Sequence, residues 1–385
     1  MEIRRLTVDD YDKLLETLNY VFTIENKRQM DFLTLQPKMW IKDDEHMQKH
    51  IGVFEGDTLC SVIGLYPFEL KVCGEIIKCA TIGNVATKPE YEGKGFFTKL
   101  MTMMVEEADK MNLDFTRLAG KRQRYGRFGY ENGGVINRFT FTNSNRRYCF
   151  DEESYKNVTF KEVTEKDEQL IEYIRDLSNS KDICYYRPKK LSTKDIYLGL
   201  TSRNYIPYVA YDGEKLIGYF CSGANGEVFD EIRSEDFESY KKIVCAWQLK
   251  VGIDVSVPVP PYAVEELKLM SSICDRLYIN FPSKFRINNW EKMFDLFMKL
   301  KYKNYRMPKG EFNLEVKDFG TFKFYVDEKG AGCVKTQDAP QLSLDRIKAT
   351  AFVFGPFPAE ITADCPDVVS IWFPLPISWD FVESL

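Results

Sequence analysis

Apolar positions along the first third of the chain switch between a period of two and a period near 3.6. EIRRLT (residues 2–7) alternates as a strand. Leu14, Leu15, Leu18, Val21 and Phe22 then form the apolar stripe of a helix, with aspartates in its first turn where the helix dipole favours them. HIGVFEGDTLCSVIGLYPFELKVCGEIIKCATIGNVAT (50–87) holds three β-rich runs separated by EGD and CGE turns, which predicts an antiparallel meander. Next comes VATKPEYEGKGFFTKLM (85–101), where apolar residues at 97, 100, 101, 104, 108 and 111 predict a helix packing one face on the sheet. LDFTRLA reads as a strand, KRQRYGRFGYENGG as a short helix and turn, and VINRFTFTN as a last strand. The order β-α-βββ-α-β-α-β predicts one mixed α/β unit over residues 1–148.

Residues 149–285 repeat this grammar. VTFKEVTEKDEQLIEYIRDLSN is a strand followed by a helix, and YIPYVAYDGEKLIGYFCSG is a hairpin around DGE, after a mostly polar insertion. The repeat contains no second GKG turn, so it keeps the scaffold and loses the ligand loop. Residues 286–385 change character: a helix, strand pairs, a further helix and a tail rich in Pro and Trp predict a small α+β domain.

Composition narrows the function classes. With 44 % hydrophobic, 14 % aromatic and 29 % charged residues, the 385-residue chain has a globular profile. Its net charge of −5 argues against a nucleic-acid partner. None of the ten cysteines forms a CxxC pair, which argues against a zinc site or redox dithiol; they read as reduced thiols of a cytoplasmic protein. The N-terminus is charged at once, unlike a secretory signal, and VVSIWFPLPISW (368–379) is too short and proline-rich to span a bilayer. The two histidines, His46 and His50, stand four apart in DDEHMQKH, a spacing that can chelate a metal on one helix face. Their polar surroundings favour a solvated face instead, and no metal is expected. Residues 51–385 contain no imidazole, so proton transfer falls to carboxylates, tyrosines or water.

The GKG turn at 93–95 joins an apolar strand to an amphipathic helix. GKGFFT is not GxGxxG, the preceding strands are antiparallel, and no P-loop is present. Two readings stay open: a purely structural turn, or one whose backbone N–H groups and helix N-terminus hold a pyrophosphate beside Lys94. With the order of elements, this turn resembles that of the GCN5-related N-acetyltransferase (GNAT) superfamily, whose pattern [QR]GxGx[GA] is kept at Gly93 and Gly95. Glu92 replaces Gln or Arg, and Phe97 replaces Gly or Ala. RYGRFGYENGG (124–134), the length, the degenerate second unit and the α+β tail look more closely like the enhanced-intracellular-survival (Eis) acetyltransferases. Those have tandem GNAT folds, mixed and largely antiparallel, followed by a sterol-carrier-protein-like domain.

The resemblance implies roles by position. Val85, Ala86 and Thr87 would pair with the pantetheine of coenzyme A. Gly93, Lys94, Gly95, Phe96, Phe97 and Thr98 would cradle its pyrophosphate, and Gly120 and Lys121 would lie near its sulfur. Tyr125 matches the general acid, and the C-terminal carboxylate of Leu385 the base, with Asp380, Glu383 or water as substitutes. Phe22 and Trp40 fall where the family has aromatic acceptor-pocket walls, though by their own pattern they read as core. The chemistry is consistent: a thiolate leaving group of pKa about 8.5 can take a proton from a phenol near 10, and an amine arriving as ammonium needs a carboxylate. The expectation is an acetyl-CoA-dependent N-acetyltransferase acting on a small-molecule or lysine amine (a polyamine or an aminoglycoside-like cation among them). Self-association into a homo-oligomer is an open expectation. The competing reading is a lipid-binding protein with a vestigial acetyltransferase fold.

Overall fold

The alternating segments of the first unit assemble as expected in a computed structural model, which describes residues 1–362 and 365–379. Strands β1 (Glu2–Arg5), β2 (His50–Glu55), β3 (Thr58–Val72) and β4 (Glu75–Thr87) pair antiparallel in chain order, and β5 (Phe115–Leu118) joins β4 in parallel. Helix α1 (Tyr11–Asn26), with the single turns α2 (Phe32–Leu35) and α3 (Asp44–Met47), covers one face; α4 (Phe96–Lys110) covers the other. Val62 and Tyr66 of β3 enter the α1-side core while Ile63 and Leu65 enter the α4-side core. A strand buried on both faces reads as a continuous apolar run, as β3 does. The one-turn helix α5 (Arg122–Tyr125) follows β5.

The chain then crosses the junction drawn in the sequence at 148/149. β6 (Glu131–Gly133) stays on the first sheet, but β7 (Ile136–Phe141) leaves it to lie between β13 (Val255–Val259) and β14 (Leu277–Asn280) of the second unit. In return β15 (Ser283–Ile287) inserts between β5 and β6. At the β6–β7 link Gly134 is left-handed (φ 69°), and a Cβ there would meet the Ile377 carbonyl at 2.4 Å. Each unit therefore completes the other's sheet.

The second unit's own sheet has the order β12-β11-β10-β8, from Phe229–Ser234, Lys215–Ser222, Ile206–Asp212 and Val158–Glu162. It is flanked by α6 (Asn143–Cys149), α7 (Glu168–Asn179), α8 (Thr193–Leu200), α9 (Phe237–Val251) and α10 (Val264–Ile273). Its short strand β9 (Ile183–Tyr185) leaves to pair with β3, setting Tyr185 opposite Leu70. α9 occupies the place of α4, but the Asp236 side chain accepts the Ser239 N–H and caps this helix with its own negative charge. That helix end is thus closed by its own carboxylate.

The third region packs α11 (Trp290–Asn304), α12 (Arg346–Phe354) and α13 (Val369–Trp372) on the sheet β18-β17-β16-β19, from Ala331–Thr336, Gly320–Val326, Gly310–Val316 and Leu342–Leu344. Lys301 clamps the tail by donating to the Trp372 and Pro374 carbonyls at 2.9 and 3.0 Å. The tail then crosses to the first unit, where Trp379 packs on Phe115 and Phe285 with ring centroids 5.8 and 5.6 Å away.

Candidate active site

The pairing of β5 with β4 ends at Ile82↔Leu118, while β4 continues through Thr87. From Gly83 onward that edge of β4 pairs with no strand among the described residues, and Val85, Ala86 and Thr87 lie along it. Gly64 pairs with Gly83 and Val62 with Ala86, so Asn84 and Val85 together oppose Ile63 in a β-bulge, with Asn84 left-handed (φ 52°). Beyond this splayed edge the chain runs through Pro89–Tyr91 to the GKG turn. Gly93 and Gly95 are left-handed (φ 77° and 79°) with open space where a Cβ would stand, and no side chain caps α4. The first-turn N–H groups at Phe96, Phe97 and Thr98 are therefore available to an anion. Lys94 is held beside Glu55 at 3.3 Å and over the Tyr91 ring. Arg124 lies 4.0 Å above Phe97, and Arg127 donates to the Thr98 hydroxyl at 2.9 Å, adding cations to the same helix end. Glu92 is exposed.

Phe97 has a structural task. It meets Tyr125 edge-on at 5.7 Å and Phe128 at 5.9 Å, so the bulky residue that departs from the superfamily pattern supports the Tyr125 ring. Gly120 supports it from the other side: a Cβ there would stand 2.6 Å from Tyr125 Cε2. Lys121 precedes α5 and its carbonyl accepts the Tyr125 N–H. Burial raises the Tyr125 phenol above its ordinary value, so it stays protonated near neutrality, and its hydroxyl makes no hydrogen bond among the described residues.

On the α1 face lies a cavity of about 350 Å³. Tyr66, Thr81 and Arg117 form a row across its floor, because Tyr66 pairs with Thr81 and Thr81 with Arg117 on adjacent strands. Lys38, Glu45 and Lys49 come from the first unit, Tyr185 and Asp195 from the second, and Trp379 from the tail. Burial and, secondarily, Arg203 pull Arg117 down to about 9, so it remains charged at pH 7. The Trp379 ring stands 5.5 Å from its guanidinium.

One expectation changes here. His50 is not on a solvated face: α3 ends at Met47, and His50 opens β2 and is buried beneath the cavity floor. Only His46 keeps a polar setting, beside Asp43 at 2.8 Å. Phe22 and Trp40 pack around Phe32 at 5.0 and 6.4 Å in the α1-side core, as their own pattern reads. Leu385, with Asp380 and Glu383, lies outside the described residues. Sequence reasoning passed over Tyr66, Arg117 and Tyr185, which sit in ordinary apolar or polar strand patterns. No group of three or more metal-ligating side chains occurs among the described residues.

The acetyltransferase (GNAT) domain family matches residues 2–133, the span carrying the turn, the splayed strand edge and Tyr125. The chain thus contains an acetyltransferase domain, that of an acyltransferase enzyme. No curated protein matches it by sequence. Among solved structures, it is similar to a GCN5-related N-acetyltransferase from Anabaena variabilis (15 % identity, 98 % of this chain and 99 % of that one, TM-score 0.66). It is also similar to a GCN5-related N-acetyltransferase from Kribbella flavida (17 %, 91 % and 89 %, TM-score 0.61) and to Eis1 from Mycobacterium abscessus (15 %, 91 % and 89 %, TM-score 0.60). These likenesses establish the fold over nearly the whole chain.

Proposed function

We propose that the chain transfers the acetyl group of acetyl-CoA directly to a primary amine within a ternary complex. The observation that carries this reading is a set of features brought onto one unit: an uncapped helix N-terminus behind two left-handed glycines, a splayed strand edge, and a buried phenol. In this reading the N–H groups of residues 93–98 take the pyrophosphate, with Lys94 nearby, and the edge of Val85–Thr87 takes the pantetheine amides. Gly120 and Lys121 border the sulfur. Tyr125 protonates the departing thiolate, and the Leu385 carboxylate, or Asp380 or Glu383, receives the amine's proton.

The cavity on the α1 face is the proposed acceptor site. Its Lys38, Lys49 and Arg117 against Glu45 and Asp195 suit an acceptor with a single amine, or a lysine side chain, better than a polycation. Ten free thiols fit a reducing cytoplasm, and among the described residues no helix is long and apolar enough to cross a membrane. The exposed edge residues Leu277, Tyr278 and Ile279 of β14 support self-association. A sterol-carrier-like assignment for 286–385 rests on its sheet and helix order. A lipid-binding function has less behind it, because Phe294, Phe324, Phe373 and Phe352 fill that core at 4.8–5.1 Å spacings.

The test is thiol release from acetyl-CoA across a panel of amines, with CoA binding followed by calorimetry. Turnover with at least one amine is expected. Neither turnover nor CoA binding, together with a co-purified acyl lipid in native mass spectrometry, would replace this reading with the lipid-binding one.

A further inference from the structure

Beneath the cavity floor lies a chain of hydrogen bonds with one consistent direction. His50 is 1 % exposed, and its Nδ1 stands 3.2 Å from the Met47 carbonyl. A carbonyl only accepts, so Nδ1 carries the proton. A fully buried imidazole stays neutral, its value pushed down to about 4 by desolvation first, with Lys49 and Arg5 as further lowering charges. Nε2 is therefore an acceptor. It stands 2.6 Å from the Tyr66 hydroxyl, which must donate to it. The Asn84 amide nitrogen, 2.6 Å from the same hydroxyl and 3.5 Å from Nε2, donates in turn to the Tyr66 oxygen. Tyr66 has thus committed its only proton downward. What remains on its oxygen is acceptor capacity alone.

The position of that oxygen matters. Tyr66 lies back along β3 over Gly64, where an added Cβ would stand 2.3 Å from the hydroxyl. Gly64 pairs with Gly83, the first rung of β4 after β5 has left it. The Tyr66 oxygen therefore sits over the Gly64–Gly83 rung where β4 loses its β5 partner, and its side chain lines the proposed acceptor cavity. It is a hydrogen-bond acceptor with no proton to offer, placed where the proposed thioester and amine would meet.

From this we infer that Tyr66 receives an N–H of the acceptor amine and aims its lone pair at the thioester carbon, with His50 and Asn84 as positioning residues that hold the phenol proton away. The inference rests on the transferase reading above. It also names the class of group the site prefers: a nitrogen that can donate while it attacks, rather than a hydroxyl acceptor whose single proton must leave as it reacts.

The experiment compares initial rates of wild type, Tyr66→Phe, His50→Gln and His50→Phe on the best amine of the panel. CoA calorimetry and melting temperature serve as controls for folding. Losing one such hydrogen bond is worth roughly 10- to 100-fold in kcat/KM for the amine. Tyr66→Phe is expected to show that loss, with the KM for acetyl-CoA unchanged within about two-fold. His50→Gln, whose amide oxygen can still accept the Tyr66 proton, is expected to keep most activity, and His50→Phe to approach Tyr66→Phe. Gly64→Ala, which displaces the hydroxyl without removing it, should fall with them. A folded Tyr66→Phe variant with wild-type amine kinetics overturns the Tyr66 assignment and leaves the transferase reading standing. Equal activity in His50→Phe and His50→Gln overturns the positioning role of His50. A wild-type chain that turns over no amine overturns the transferase reading first, and this assignment with it.

Discussion

Two residues show what burial does to a titratable group here. Tyr125 is held between Gly120 and Phe97, and its raised phenol keeps its proton near neutrality, as the proposed general acid must. Tyr125→Phe is expected to lower kcat by roughly 10²–10⁴ while CoA affinity in calorimetry stays within a few-fold, the usual range for removing a general acid. His50 behaves oppositely. Its folded value of about 4 lies below the ordinary 6.5, so the unfolded chain takes up a proton more readily between those values. Its stabilisation is complete above pH 6.5 and drains away as pH falls toward 4, by on the order of 3 kcal/mol. Urea midpoints measured at pH 7 and 4.5 are expected to drop steeply for wild type and less for His50→Gln. An identical drop in both would remove His50 as the cause.

At the scale of elements, the turn before α4 shows how much a sequence motif says by itself. Gly93 and Gly95 are legible as a turn, and their left-handed backbone bears that reading out. Whether the helix end is available depends on what caps it, and Asp236 in the second unit shows the alternative, a helix closed by its own carboxylate. Gly95→Val places a β-branched residue at φ 79°, which costs on the order of 1–3 kcal/mol locally and shifts the N–H groups of α4. The expected result is at least a tenfold weaker CoA affinity in calorimetry, with little change in amine KM. The strand pattern was equally readable through β4, because a buried strand keeps its apolar run wherever it ends up. The bulge at Asn84 was not, since Asn in an apolar strand carries no mark of which partner it will face.

The exchange of β7 and β15 governs the molecule as a whole. A chain cut after residue 148 would keep β7 with no β13 or β14 to receive it, and would leave β5 and β6 with no strand between them. Exposed strand edges and apolar faces favour aggregation. Residues 1–148 expressed alone are therefore expected to elute as aggregate and to bind CoA poorly, whereas residues 1–288, which keep both exchanged strands, should remain dispersed longer. A monodisperse, CoA-binding 1–148 fragment would show that the exchange is dispensable. The proposed acceptor cavity also exists only at this scale: its walls come from β3–β5, from β9 and α8 of the second unit, and from Trp379.

The sequence by itself determined the local periods, the turns and the glycine turn before α4, because each depends on residues within one or two turns of chain. It also marked Tyr125, through the YGRFGY run and the family resemblance. It misread His50 because a histidine in a charged run looks solvated until β2 carries it under Tyr66, sixteen positions along the chain. Only the tertiary structure decided that burial, the exchange of strands between units, and the meeting of Tyr66, Arg117, Tyr185 and Trp379 around one cavity. These depend on contacts between segments far apart in sequence, where side-chain polarity says that a partner is needed and packing alone says which one.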